Sequence, residues 1–340
     1  MNPRPRTYQV RALPLSYPGV VCIISELDIL KSMGKRESFL LILIAAFFML
    51  LLYVATFSLK KPAVHPDLIG VKALKNFNRE VEVILTGDVM LGRSVLTKSE
   101  RMKDWAYPFR KVTDRLQEAD IVFINLESPF VDNCPRTDSG MKFCTDPKIT
   151  EGLKDANIGV VNLANNHASN YGQVGIAKTK KVLTETGIDY VGDGNLAVKE
   201  IKGTRFGFLG FDFTTHTLTD SDRKLVADSD RLVDVLIVGA HWGGEYQISP
   251  TNDQKQMAKD LVEAGADVAV GHHPHWVQET EYIDGRPVYY SLGNFVFDQM
   301  WSEQTKKGLV IKLAFKDGKL IREEKLPVYI ASLGQPEFVK

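Results

Sequence analysis

Beyond Glu80 the chain alternates short apolar runs with amphipathic stretches. Glu82–Thr86 (EVILT), Ile121–Asn125 (IVFIN), Gly159–Leu163 (GVVNL), Arg205–Phe211 (RFGFLGF), Val233–Ala240 (VDVLIVGA) and Ala266–Val270 (ADVAV) are rich in β-branched and aromatic residues. Each is predicted to be a buried strand, the first followed by a Gly87-Asp88 turn. Helical spacing is predicted over Tyr107–Ala119, Pro147–Ala156, Val174–Thr186 (closed by Gly187) and Gln254–Ala264. Toward the C-terminus the pattern becomes strand after strand: Pro287–Ser291, Leu309–Phe315 and Leu320–Val328, the last two joined by an Asp317-Gly318 turn. Strands interleaved with helices predict a covered α/β sheet, and the closing hairpin makes it mixed.

One segment breaks this pattern. Phe39–Leu59 is 21 residues without a charge, long enough as a helix to span a hydrocarbon core of roughly 30 Å. A cleaved signal peptide has a shorter apolar region and a small-residue cleavage site, so an uncleaved single-pass anchor is the expectation. It divides the chain into an N-terminal tail (1–38), the anchor (39–59), a linker (60–79) and a large domain (80–340). Met33-Gly34-Lys35-Arg36 would also make an ordinary start. Arg4, Arg6 and Arg11 add positive charge to the tail, so the N-terminus is placed in the cytoplasm and the large domain outside the cell membrane.

Composition adds two exclusions. Lys+Arg and Asp+Glu both number 42 in 340 residues, so there is no electrostatic footprint for nucleic acid. Three cysteines exclude a disulfide-built scaffold and a Cys-rich zinc module. Cys134 and Cys144 flank a polar loop without an apolar face, on the side placed outside, and are predicted to pair; Cys22 is expected to be free.

The candidate chemistry lies at the strand ends. EVILT leads to Gly87-Asp88, IVFIN to Leu126-Glu127, GVVNL to Asn165-Asn166-His167, VDVLIVGA to His241, and ADVAV to His272, His273 and His275. Ligands of open α/β sheets gather at the carboxyl ends of strands. Carboxylate, amide and imidazole ligands without cysteine suit Mn, Zn, Fe or Mg, one or two per chain. A carboxylate can bridge two ions about 3.5–4 Å apart. Pro274 stiffens the loop between His273 and His275. Arg93 is a candidate for binding an anionic substrate.

These motifs, in this order, resemble the bacterial capsule-synthesis CapA family, the poly-γ-glutamate capsule group. The matching pieces are Gly87–Arg93 (GDVMLGR), Asn125–Glu127, Leu163–His167 (LANNH), His241–Tyr246 (HWGGEY), Gly271–His275 (GHHPH) and Ser291–Asp298 (SLGNFVFD). That family is similar to the calcineurin-like metallophosphoesterases, which implies a two-sheet α/β/β/α sandwich with a metal centre at the strand ends. By motif, the resemblance makes Asp88, Glu127, Asn166, His241, His273 and His275 metal ligands and His167 the acid that protonates a leaving group. Two positions depart from the phosphoesterase pattern: Met90 stands where the first strand usually carries histidine, and Glu127 replaces an Asp. Asn170 stands where the capsule family often has Asp.

The function implied is a membrane-anchored, metal-dependent hydrolase or transferase of the cell envelope. Its substrate would be a capsule polymer with γ-glutamyl amides or a small phosphoester, and its partners other membrane proteins of capsule assembly. The alternatives are a non-catalytic component of a polymer assembly or export complex, and a periplasmic nucleotidase.

Overall fold

The structure, a computed structural model, describes residues 80–339. The expected tail, anchor and linker, and Cys22, lie outside the described residues. Among the described residues no helix is long and apolar enough to cross a membrane.

Among the described residues fourteen strands follow in chain order: β1 (Val81–Val89), β2 (Ile121–Leu126), β3 (Ile158–Asn162), β4 (Asp189–Val191), β5 (Ala197–Ile201), β6 (Thr204–Asp212), β7 (Val235–His241), β8 (Val268–His272), β9 (Thr280–Ile283), β10 (Arg286–Tyr289), β11 (Asn294–Val296), β12 (Lys307–Lys316), β13 (Lys319–Ser332) and β14 (Gln335–Phe338). They form two mixed sheets, β14-β13-β12-β1-β2-β3-β4, with β11 also paired to β1, and β5-β6-β7-β8-β10-β9.

The two-residue period of the strands sorts their side chains into three cores. Val83, Leu85 and Phe123 of the first sheet meet Phe208, Ile237 and Val270 of the second. The alternate residues face outward. Ile84, Val122 and Ile124 pack with Leu96 and Leu183 of the helices Arg93–Met102 and Gly172–Thr186. Leu236 and Val238 pack under Val226 and Leu261 of the helices Asp220–Asp230 and Asn252–Ala264. The architecture is an α/β sandwich of helix, sheet, sheet and helix layers.

Two expectations need correction. Chain 107–119 is not one helix: it is a 3₁₀ turn at Tyr107–Phe109, with Pro108 in its first turn, and a separate short helix at Thr113–Leu116. Gly87 is not at a turn either, because β1 runs on to Val89. A glycine is needed there because the chain crosses closely: a Cβ on Gly87 would lie 2.0 Å from the Gly293 carbonyl oxygen. That crossing lets β11 pair in parallel with β1 at Asp88 and Asn294. The Asp317-Gly318 turn holds, with both residues at positive φ, as a type I′ hairpin turn requires.

Candidate metal centre

The inter-sheet face turns polar where the strands end. On β2, Phe123 fills the core and Asn125, two residues on, is fully buried above it; Glu127, two further, leaves the strand end equally buried. The same alternation takes β3 from Val160 to Asn162, β7 from Ile237 to His241, and β8 from Val270 to His272.

Asn125 is the hub. Its Nδ2 lies 2.9 Å from Asp88 Oδ1, 3.1 Å from Glu127 Oε1 and 3.2 Å from His241 Nδ1. Its Oδ1 accepts from Asn162 and Asn165. One amide nitrogen has two hydrogens, yet three acceptors converge on it. Asp88 Oδ2 accepts the backbone N–H of His273 at 3.2 Å and lies 3.1 Å from His275 Nδ1. That imidazole nitrogen is also 3.0 Å from Asn294 Oδ1, so one proton again serves two acceptors. Glu127 Oε2 is buried with no partner.

The centre therefore has more acceptors than protons. Burying them without compensation costs about 1–3 kcal/mol per group, and a cation would supply what is missing. Asp88, Glu127 and His275 present ligand atoms all within 4.8 Å of one another, in a donor set of hard oxygen and imidazole. The residues present fit a divalent metal.

The electrostatics agree. Burial, then the neighbouring Asp88 charge, hold the Glu127 carboxyl well above its ordinary range. Burial also opposes the Asp88 charge, but the hydrogen bond from His275 and the surrounding imidazoles outweigh it, and Asp88 is held well below its ordinary range. Burial pushes His241, His272 and His273 down, which leaves neutral imidazoles, the form that ligates metal.

His241 Nε2 lies 3.1 Å from Asn166 Oδ1, so these two stand side by side at the mouth. His273 packs its ring 4.8 Å from His241 and 6.1 Å from His275. His273 and His275 have φ of 94° and 60°. Two left-handed non-glycine residues around Pro274 are backbone strain, which persists only where the surroundings enforce it. Met90 is buried in the outer core, its sulfur accepting the Gly92 N–H at 3.1 Å.

His167 lies under Phe143, ring centroids 3.9 Å apart. Asn170 Oδ1 accepts the Phe143 N–H at 2.6 Å, which identifies it as the oxygen, and it lies 3.2 Å from His167 Nδ1. His167 therefore carries its proton on Nδ1 and keeps a lone pair on Nε2. Burial pushes this imidazole down to about 4. Arg93 is held rather than free: it forks onto Asp298, donates to the Gly140 carbonyl at 2.7 Å, and stacks 4.5 Å over Phe143. Gly140 and Phe143 belong to the loop closed by the Cys134–Cys144 disulfide, which bears out that pairing.

Asn125 and Phe143 were not among the predicted site residues, and Asn294, which follows a strand and could equally build a turn or line the site, is placed in the site by its contact with His275. Asn125 could have been found from its parity with Phe123 and Glu127; Phe143 sits in a loop without a pattern.

Residues 82–299 match the family described as bacterial capsule synthesis protein PGA_cap. The capsule biosynthesis protein CapA of Bacillus anthracis is 32% identical over 289 residues, covering 76% of this chain and 70% of that protein. The PGA biosynthesis protein CapA of Bacillus subtilis is 31% identical over 268 residues, covering 72% of this chain and 70% of that protein. Among solved structures, a hypothetical protein from Thermus thermophilus overlays with a TM-score of 0.50 at 14% identity, over 73% of this chain and 98% of that one; this likeness concerns the fold alone.

Proposed function

The chain belongs to the bacterial capsule synthesis family PGA_cap, the CapA proteins, and within it we propose a metal-dependent hydrolase or transferase of the cell envelope. Its substrate is a γ-glutamyl polymer or a phosphoester, and it is held at the membrane by residues 39–59 with the large domain outside. The observation that carries the reading is the acceptor excess around Glu127, whose buried Oε2 has no partner.

Asp88, Glu127 and His275 would hold the ion, with Asn166, His241 and His273 completing the shell. A divalent ion there supplies Lewis-acid polarisation of a carbonyl or phosphoryl oxygen and an activated water. Asn125 orients both carboxylates. His167 Nε2, its basicity raised by the charge of a bound anionic substrate, would take the proton that the attacking water loses and hand it to the leaving group. Phe143 shields the imidazole from water, and Arg93 fastens the Phe143 loop to Asp298.

The test is elemental analysis of the full-length chain, purified in detergent without chelator, followed by hydrolysis assays on γ-glutamyl oligomers and aryl phosphates. One or two transition-metal ions per chain, with turnover that chelator abolishes, is the expected result. A chain that holds no metal and takes up neither Mn nor Zn overturns the reading. The packing of Met90 away from the centre favours a second reading, a non-catalytic polymer-binding component; metal without turnover on either substrate class selects it.

A further inference from the structure

A polar groove runs between the helix Arg93–Met102 and the disulfide-closed loop. The helix Arg93–Met102 carries Ser94, Thr97, Lys98 and Arg101 at the spacing of one helical face. Opposite them stand Arg136, Thr137 and Asp138 of the disulfide-closed loop, over Leu333, and together they enclose roughly 440 Å³. The walls are fastened to each other: Arg93 donates to the Gly140 carbonyl at 2.7 Å, Ser94 Oγ to the Asp138 carbonyl at 3.4 Å, and Arg136 pairs with Glu100 at 2.7 Å.

The charges on this groove are unequally matched. Arg136 is satisfied by Glu100 and Asp146 and serves as wall. Lys98 and Arg101 have no carboxylate partner among the described residues. Lys98 is nevertheless placed: its ammonium lies 5.9 Å over the Tyr107 ring, whose hydroxyl donates to the Leu333 carbonyl at 3.0 Å. The lining is cations and hydroxyls, with Asp138 its one carboxylate and Leu333 its one apolar residue. Such a surface recognises an anion and offers nothing to an apolar ligand.

The shape adds that the anion is extended. Arg93, at one end of the helix, touches the loop that covers His167; Arg101 lies eight residues on, about 12 Å along the axis. We propose that this groove is a secondary binding site for a carboxylate-bearing polymer, whose carboxylates pair with Lys98 and Arg101 while the chain runs on toward the metal centre. The inference deepens the proposed function, since it rests on a polymer being the substrate.

The test is fluorescence anisotropy of the full-length chain in detergent with labelled poly-γ-glutamate across a salt series. Lys98→Gln with Arg101→Gln, both on the helix surface, is expected to weaken binding about tenfold at low salt, as two solvent-screened ion contacts supply, and to flatten the salt dependence. Asp138→Asn is expected to tighten binding. Competition by polygalacturonate separates the sources: displacement supports carboxylate recognition in general, and its absence supports a γ-glutamyl backbone. No binding by wild type, or unchanged affinity and salt slope in the double variant, overturns the groove. His273→Ala with His275→Ala separates this from the reading of the centre. If that variant binds polymer normally, the groove stands even where metal or turnover proves absent. If it alone abolishes binding while the groove variants do not, the groove falls and the metal centre remains.

Discussion

Replacing Glu127 by Gln should move stability and metal affinity in opposite directions. In the metal-free protein this carboxylate is fully buried, one oxygen has no partner, and Asp88 stands beside it. Glutamine keeps the oxygen that accepts from Asn125, removes the charge, and puts an amide donor beside the Asp88 carboxylate. An unsatisfied buried polar group costs about 1–3 kcal/mol, and more when charged, so Glu127→Gln in EDTA at pH 8 is expected to gain about that much. The gain depends on pH. The folded-state pKa of Glu127 is raised, so its contribution is whole below the unfolded value near 4.5 and is lost as pH rises through the folded value. The variant lacks this loss, and its advantage should widen from pH 5 to pH 8. With metal the order reverses: wild type gains about 2.7 kcal/mol at a hundredfold excess over Kd, and the variant, short of a ligand, gains far less. Urea denaturation at both pH values, with EDTA and with Mn or Zn, measures all four terms. A variant less stable than wild type in EDTA at pH 8 would refute the reasoning, because Glu127 would then be satisfied without an ion.

The double substitution His273→Ala, His275→Ala should remove bound metal, read by elemental analysis of protein purified without chelator. His167→Ala should keep its metal and lose about 10²–10⁴-fold in turnover, the worth of general acid–base help; loss of metal to the same degree as the double substitution would make it a ligand instead. Cys134→Ser with Cys144→Ser should cost at most about 2–3 kcal/mol in thermal or urea unfolding, given the ten-residue separation, and should also lower turnover, since the freed loop carries Phe143. Unchanged turnover in that variant would show that the loop does not position His167.

What the sequence made legible follows from local periodicity. The strands at the sandwich centre carry the two-residue alternation over enough residues to be read, and the same alternation carried their polar ends to one place. The helix Arg93–Met102 escaped because only Val95, Leu96 and Ser99 are buried on it, too few to mark an apolar stripe. The three-residue β11 escaped because its partner lies some two hundred residues earlier in the chain and nothing local encodes the pairing. Asn125 was visible inside a motif, yet its role depends on neighbours contributed by β1 and β7. The stack of Phe143 on His167 is likewise a contact between two loops, set by the disulfide and by Asn170.

The pairing of Asp88 with Asn294 would also fix when the proposed ion could be captured. Asp88 is made early and the chain that completes its surroundings late, so one of the longest loops in the domain must close before the acceptors converge. A nascent or translocating chain that stops short of Asp298 has the carboxylates but no cage. If the centre holds the proposed ion, metal choice would thereby be deferred to wherever the last third of the domain folds, and the ions abundant there, rather than those met during synthesis, would decide which element is bound.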